Sequence, residues 1–201
     1  MDADLTLAAG LATDLDRAFP TLVEAHSGRL FTIANRYLGV PSDAEEVAQD
    51  ALVRAYDALA GYDRDRIRGL RLRPWLATIT LNLARNRRRR IADRRPPASL
   101  EPLLVAGWEP SASSNALPSA IADRREAQSE LAAALRNLAP AIREAVVLRH
   151  VDGMSVAETA AALGRPEGTV KAQVHRGLAM LRQNLIVEPS IQPDSAKEMT
   201  A

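Results

Sequence analysis

GMSVAETAAALGRPEGTVKAQVHRGLAMLRQNL, residues Gly153 to Leu185, reads as two helices broken by one tight turn. Ser155 with Glu158 three residues on is a capping box, which opens the first helix. Gly164 and Pro166 make the turn, and a second helix is predicted from Glu167 to Asn184. Ala160, Gly164 and Val170 carry helix-turn-helix spacing: a small residue where the helices touch, a glycine in the turn, and a β-branched residue in the core. The second helix buries Val170, Val174, Leu178 and Leu181. It exposes Thr169, Lys171, Ala172, His175 and Arg176, the part that would enter a major groove. A purely structural helical hairpin is the competing reading. His175 alone says little, but beside Lys171 and Arg176 it suits a phosphate or base edge better than a core. Upstream, Leu131, Leu135 and Leu138, then Ile142, Val146 and Val151 after Pro140, extend the helical period into this domain.

RPWLATITLNLARNRRRR, residues Arg73 to Arg90, joins an amphipathic helix to an almost unbroken arginine run. Leu72, Trp75, Leu76, Ile79 and Leu83 make a core stripe, with Pro74 in the first turn. Thr78, Asn82, Arg85 and Arg89 form a separate stripe of donors for bases and phosphates. A solvated helix end, favourable for the helix dipole, is the plain alternative. The net charge of +1 conceals a strong polarity: residues 1 to 60 sum to −6, residues 61 to 95 to +9, and the remainder to −2. The basic block is the footprint of a polyanion, and the acidic half beside it suggests a second, basic partner.

Composition narrows the fold. Aromatic residues are 3% of the chain and strand formers are sparse, so an all-α protein is expected, with two small helical domains joined by an extended linker. With no cysteine and three scattered histidines there is neither a disulfide framework nor a thiolate metal site, and no metal or cofactor is expected. No run approaches a membrane span, and MDADLTLAAG does not resemble a signal peptide, which points to the cytoplasm without direct membrane insertion.

In the N-terminal half, residues 1–13 read as a flexible start, and Leu15, Phe19, Leu22, Leu30, Ile33 and Tyr37 mark a helix with Pro20 and Gly28 as soft spots. After the turn GVPSD, Ser42 with Glu45 predicts a second capping box, opening a helix to about Ala60. Ala44, Ala48, Leu52, Ala55 and Leu59 form its core face, opposite Asp43, Glu46, Asp50, Arg54 and Asp57. The domains are therefore placed at 14–95 and 126–187. Residues 96–125, rich in Pro, Ser, Ala and Asn, form the linker, with Trp108 conspicuous in it. Residues 188–201 read as a disordered tail.

Three segments resemble bacterial RNA polymerase sigma factors of the extracytoplasmic-function type. DAEEVAQDALVRAY (Asp43 to Tyr56) is similar to the family's polymerase-binding helix. WLATITLNLARNRRRR is similar to its −10 element reader, and LAPAIREAVVLRHVDGMSVAETAAALGRPEGTVKAQVHRGLAMLR to its −35 reader. The trio lies in the family's order and covers about two thirds of the chain. The resemblance implies no catalytic residue. It implies core RNA polymerase as partner through its β and β′ subunits, with contacts from Asp43, Glu46, Gln49, Asp50 and Arg54, where acids facing a basic partner steer association. It implies −10 DNA contacts from Tyr62, Arg73, Trp75, Thr78, Asn82, Arg85, Arg87, Arg88, Arg89 and Arg90, with an unstacked base held near the loop Tyr62 to Leu72. For −35 promoter DNA it implies Arg165, Thr169, Lys171, Ala172, His175 and Arg176. It implies, finally, control by an anti-sigma factor. The chain departs from the family at Asn86, where aspartate is frequent, and at Ala172-Gln173, where Ser-Arg is frequent.

Two other readings remain open on sequence alone. The C-terminal half also resembles the DNA-binding domains of response-regulator-type activators. Asp43, Glu46 and Asp50 could instead serve a metal-dependent nuclease, although they lie along one outward helix face with no converging element.

Overall fold

The computed structural model describes residues 3–94 and 129–186. The linker residues, including Trp108, and the tail expected beyond Glu188 lie outside the described residues. Within them every element is helical: α1 (Ala3–Thr13), α2 (Leu15–Leu38), α3 (Pro41–Ala60), α4 (Arg64–Arg68), α5 (Leu72–Arg94), α6 (129–137), α7 (Pro140–Val146) running into a π turn (Val147–Val151), α8 (Val156–Leu163) and α9 (Glu167–Ile186).

Residues 3–13 of the stretch expected as a flexible start form α1, which buries Ala8, Leu11 and Ala12 against α2 and α4. Asp14 then caps α2, its carboxylate accepting the Arg17 N–H at 3.1 Å. Helix α2 continues unbroken past Pro20 and Gly28 and stops at Gly39, whose φ of 77° is the left-handed geometry that favours glycine. The expected Ser42 cap is also corrected. Pro41 occupies the first helical position with Val40 as cap residue, so α3 starts before Ser42 and no side chain caps it.

Helices α2, α3 and α5 make the N-terminal core. Leu22, Leu30, Ala51, Ala55, Leu72 and Leu76 are fully buried there, and Leu52, Trp75, Ile79 and Leu83 pack on its margin. In α5 the wholly buried positions also include Ala77, Leu81 and Ala84, so the stripe is wider and one residue further round than the sequence implies. In the C-terminal domain, Ala145, Ala160 and Val170 bury together with Val156, Leu163 and Val174, as the helix-turn-helix spacing requires. The capping box forms, with Ser155 Oγ accepting the Glu158 N–H and Glu158 accepting the Ser155 N–H. Gly164, at φ 62°, ends α8.

The domains share a third core. Ile33, Ala34 and Tyr37 of α2, and Ala77, Leu81 and Ala84 of α5, pack with Val147, Leu148 and Met154. The π turn explains how two consecutive residues can face the same neighbour: Asp152 donates its N–H to the Val147 carbonyl five residues back, and this wider turn inserts both Val147 and Leu148.

Candidate nucleic-acid interface

Four surfaces gather the residues singled out by the sequence, and the basic helix contributes to three of them. On α3, Glu46, Gln49, Asp50 and Arg54 are exposed and Asp43 is half-buried. Asp43 and Glu46 both accept from Arg87, at 2.8 Å to Asp43 from Nε and 2.8 Å to Glu46 from Nη1. The hydrogen bond to Asp43 is the main reason that Arg87 is held above the ordinary arginine range. Two of the acids proposed for a metal thus engage a guanidinium. Beside this face runs a groove of about 190 Å³ between α2 and α3, lined by Ser27, Phe31, Glu45, Gln49 and Leu52.

The second surface is a pocket of about 330 Å³ that brings together Arg54, Tyr62, Trp75 and Asn82 with Asp57 and Asn86. The Tyr62 and Trp75 rings lie 6.3 Å apart and tilted by 55°. Asp63 caps the short helix α4, which delivers Arg66 over the Tyr62 ring at 3.6 Å. That cation–π contact fixes the ring's orientation. Aromatic faces flanked by amide edges suit a flat heterocycle presented on its stacking face and read on its hydrogen-bonding edge. Sequence reasoning missed Arg66 and placed Asp57 only on the outward face of its helix, with no role at this pocket. Arg66 lies in the loop already flagged, and only the fold turns it onto Tyr62.

The third surface is the outer end of α5, where Arg89 and Arg90 are exposed and Arg89 donates to Asn86 Oδ1 at 2.6 Å. The fourth is α9, where Thr169, Lys171, Ala172, His175 and Arg176 are all exposed along one face.

The remaining residues lie elsewhere. Arg165 points inward, donating to the Ala141 carbonyl at 2.9 Å and to Glu144 at 2.5 Å. Arg85 reaches the same Glu144 with two hydrogen bonds, at 2.7 and 2.8 Å, while also donating to Asn82 at 2.9 Å. Burial opposes ionisation of Glu144, yet the two guanidiniums prevail and hold its carboxyl below the usual range. Arg73 donates to the Asp152 backbone carbonyl at 3.0 Å, and Arg88 lies 5.9 Å from the centre of the Tyr37 ring. Thr78 donates to its own helix at the Pro74 carbonyl. The single donor stripe expected on α5 is therefore divided: Asn82 faces the pocket, Arg85 faces the other domain, and Arg89 faces outward.

The chain matches the family Sigma-70 region 2 over residues 22–95 and the family Sigma-70, region 4 over residues 128–181. It is 32% identical over 188 residues to the ECF RNA polymerase sigma factor SigE of Mycolicibacterium smegmatis, covering 92% of this chain and 69% of that one. It is 36% identical over 184 residues to the RNA polymerase sigma factor CnrH of Cupriavidus metallidurans, covering 90% and 93%. A solved structure of CnrH in complex with the cytosolic domain of CnrY superposes with a TM-score of 0.66 at 30% identity, covering 94% of this chain and all of that one.

Proposed function

The chain belongs to the sigma-70 family, as an RNA polymerase sigma factor of the extracytoplasmic-function type, and we propose that it directs core RNA polymerase to a particular set of promoters. One observation carries the detailed reading: an aromatic-and-amide pocket on one domain and a polar recognition helix on the other are joined in one chain. In this reading Tyr62, Trp75 and Asn82 receive an unstacked base of the −10 element. Extrusion of that base costs a few kcal/mol, and stacking of about 1–3 kcal/mol per base returns it. Arg89 and Arg90 grip phosphates without regard to sequence. Thr169, Lys171, His175 and Arg176 read the −35 duplex in the major groove. Glu46, Gln49, Asp50 and Arg54, with Asp43 behind them, meet the polymerase.

The factor catalyses no reaction itself and works in the cytoplasm; no helix among the described residues is long and apolar enough to cross a membrane. An anti-sigma factor holds it inactive by covering the polymerase-binding α2–α3 face; that such a partner exists is supported by the complex that the relative CnrH makes with the cytosolic domain of CnrY. Run-off transcription with purified core enzyme and genomic promoter fragments tests the proposal. A promoter-dependent transcript is expected; neither transcript nor measurable binding to core polymerase would overturn it.

A further inference from the structure

The pocket that holds Tyr62 and Trp75 has a hydrogen-bonding rim whose polarity is set by its neighbours. Asn82 and Asn86, one turn apart on α5, both line it. Arg85 donates to Asn82 Oδ1 at 2.9 Å, and Arg89 donates to Asn86 Oδ1 at 2.6 Å. Each amide oxygen is thus engaged along the helix, and the two amide nitrogens are the groups left to meet a ligand. They only donate. From α3 the rim receives Arg54, a further donor, and Asp57, whose carboxylate only accepts. The turn of α3 that carries Asp57 is anchored by Tyr56, whose hydroxyl donates to Asp16 at 2.5 Å and whose ring packs edge-on against Phe19. Asp57 itself is exposed, so packing does not account for it. A carboxylate here repels every phosphate that comes near, a cost offset only where the base donates to it.

We propose that Asp57 determines the specificity of this pocket, which selects a base presenting an amino group beside a ring-nitrogen acceptor, the edge shared by cytosine and adenine. The inference rests on the base-capture function proposed above. The Asp57 carboxylate accepts from the exocyclic amino group, N4 of cytosine or N6 of adenine, and an asparagine amide donates to the adjoining ring nitrogen. Thymine and guanine invert both positions. Each sets a carbonyl oxygen against the carboxylate and a ring N–H against an amide N–H, so both contacts become repulsive. The aromatic rings do not make this choice, because every base has a face that stacks. Tyr62 and Trp75 supply affinity, and Asp57 with the two asparagines supplies the choice.

Deoxycytidine and deoxyuridine dodecamers differ only in this edge, as do deoxyadenosine and deoxyinosine dodecamers, so the two pairs test a pyrimidine and a purine separately. Binding to the full-length chain assembled with purified core polymerase is measured by competition against one labelled oligonucleotide, with binding by core enzyme alone subtracted. The parent should prefer cytidine to uridine, adenosine to inosine, or both, by about tenfold. Asp57→Asn and Asp57→Ala should bring the ratios to about one while strengthening every oligonucleotide, because a negative charge is lost and the acceptor-only edge with it. Circular dichroism checks that both variants keep the fold. Asp65→Asn, which removes an exposed carboxylate outside the pocket, should strengthen every oligonucleotide and leave the ratios as they are. Parent ratios near one, a preference for uridine or inosine, ratios that survive Asp57→Ala, or no binding above that of core enzyme would overturn the assignment. Binding without discrimination counts against the edge reading alone, whereas a failed run-off assay with discrimination intact counts against the promoter reading.

Discussion

Replacing Gly177 by alanine should destabilise the C-terminal domain, although alanine is the better helix former by about 1 kcal/mol. Gly177 is buried where α9 crosses α7, and a Cβ there would lie 2.5 Å from Val146 Cγ2 and 2.8 Å from Ile142 Cγ2. Carbon atoms in contact prefer about 3.5–4.0 Å, so the helices must part by roughly 1 Å. Val146 is 2% exposed, so it cannot swing out into solvent without opening the core. Overpacking of this kind costs about 1–3 kcal/mol. Set against the helix gain, the net loss is about 1 kcal/mol, which for a domain of this size lowers Tm by roughly 4–8 °C. Gly168 supplies the control, because it lies in the same helix with nothing within 4 Å of its added Cβ. Gly168→Ala should raise Tm or leave it unchanged. Thermal circular dichroism on both variants decides the matter, with duplex binding as a second readout, since the displaced α9 should hold −35 DNA more weakly. A Gly177→Ala chain that melts higher than the parent would refute the close crossing and, with it, the pose assigned to the recognition helix.

Other outcomes follow from the same geometry. Asn82→Ala should discriminate less between −10 variants by about 1–3 kcal/mol, measured by competition among single-stranded −10 oligonucleotides, whereas Arg89→Ala should weaken all of them alike and reduce the salt slope by about one ion. Ser155→Ala removes one side of the capping box and should lower stability by about 1 kcal/mol in denaturant titrations, with helix content retained. Glu144 has its folded pKa lowered from 4.5, so its stabilisation is present above that pH and lost as pH falls through the folded value. Asp152, raised from 3.8 because burial outweighs Arg29, contributes in the opposite sense and is stabilising only on the acid side. It is present in both chains, so comparing the parent with Glu144→Gln isolates Glu144: on acidification the parent's Tm should fall more than the variant's.

The helix-turn-helix was legible because its signals are local. A cap, a turn glycine and an i, i+4 apolar period lie within a few residues of one another, and the structure returns them at Ser155, Gly164 and Val170. Helix α1 was illegible for the converse reason. ADLTLAAGLAT is apolar nearly all round, so no polar face contrasts with a buried one until α4 is folded beside it. The α3 start was missed because Pro41 outranked a good capping pair one residue further on. The π turn has no mark in VLRHV; neighbouring packing selects it. For the candidate site, residue types were legible and directions were not. Arg85 and Arg165 belong to basic segments, but Glu144 lies 59 residues from the first and 21 from the second, and no periodicity links residues so far apart. Tyr62, Trp75 and Asn82 were each named, while their convergence with Asp57 and Arg66 depends on the turn after α3 and on α4, which packs on α1.

Arg143 and Glu144 are consecutive residues of one short helix, and each holds a different part of the opposite domain. Arg143, its pKa lowered to about 10 chiefly by burial, is fastened to the carbonyls of Tyr37, Arg136 and Leu138. Glu144 is fastened to Arg85. This adjacency bears on recombination between relatives. A hybrid gene joined within residues 95–128 would pair Arg143 and Glu144 with a foreign helix end and a foreign basic face. Exchangeable units of this protein therefore have to carry Tyr37 and Arg85 along with the reading head, even though these two residues lie on the far side of the linker.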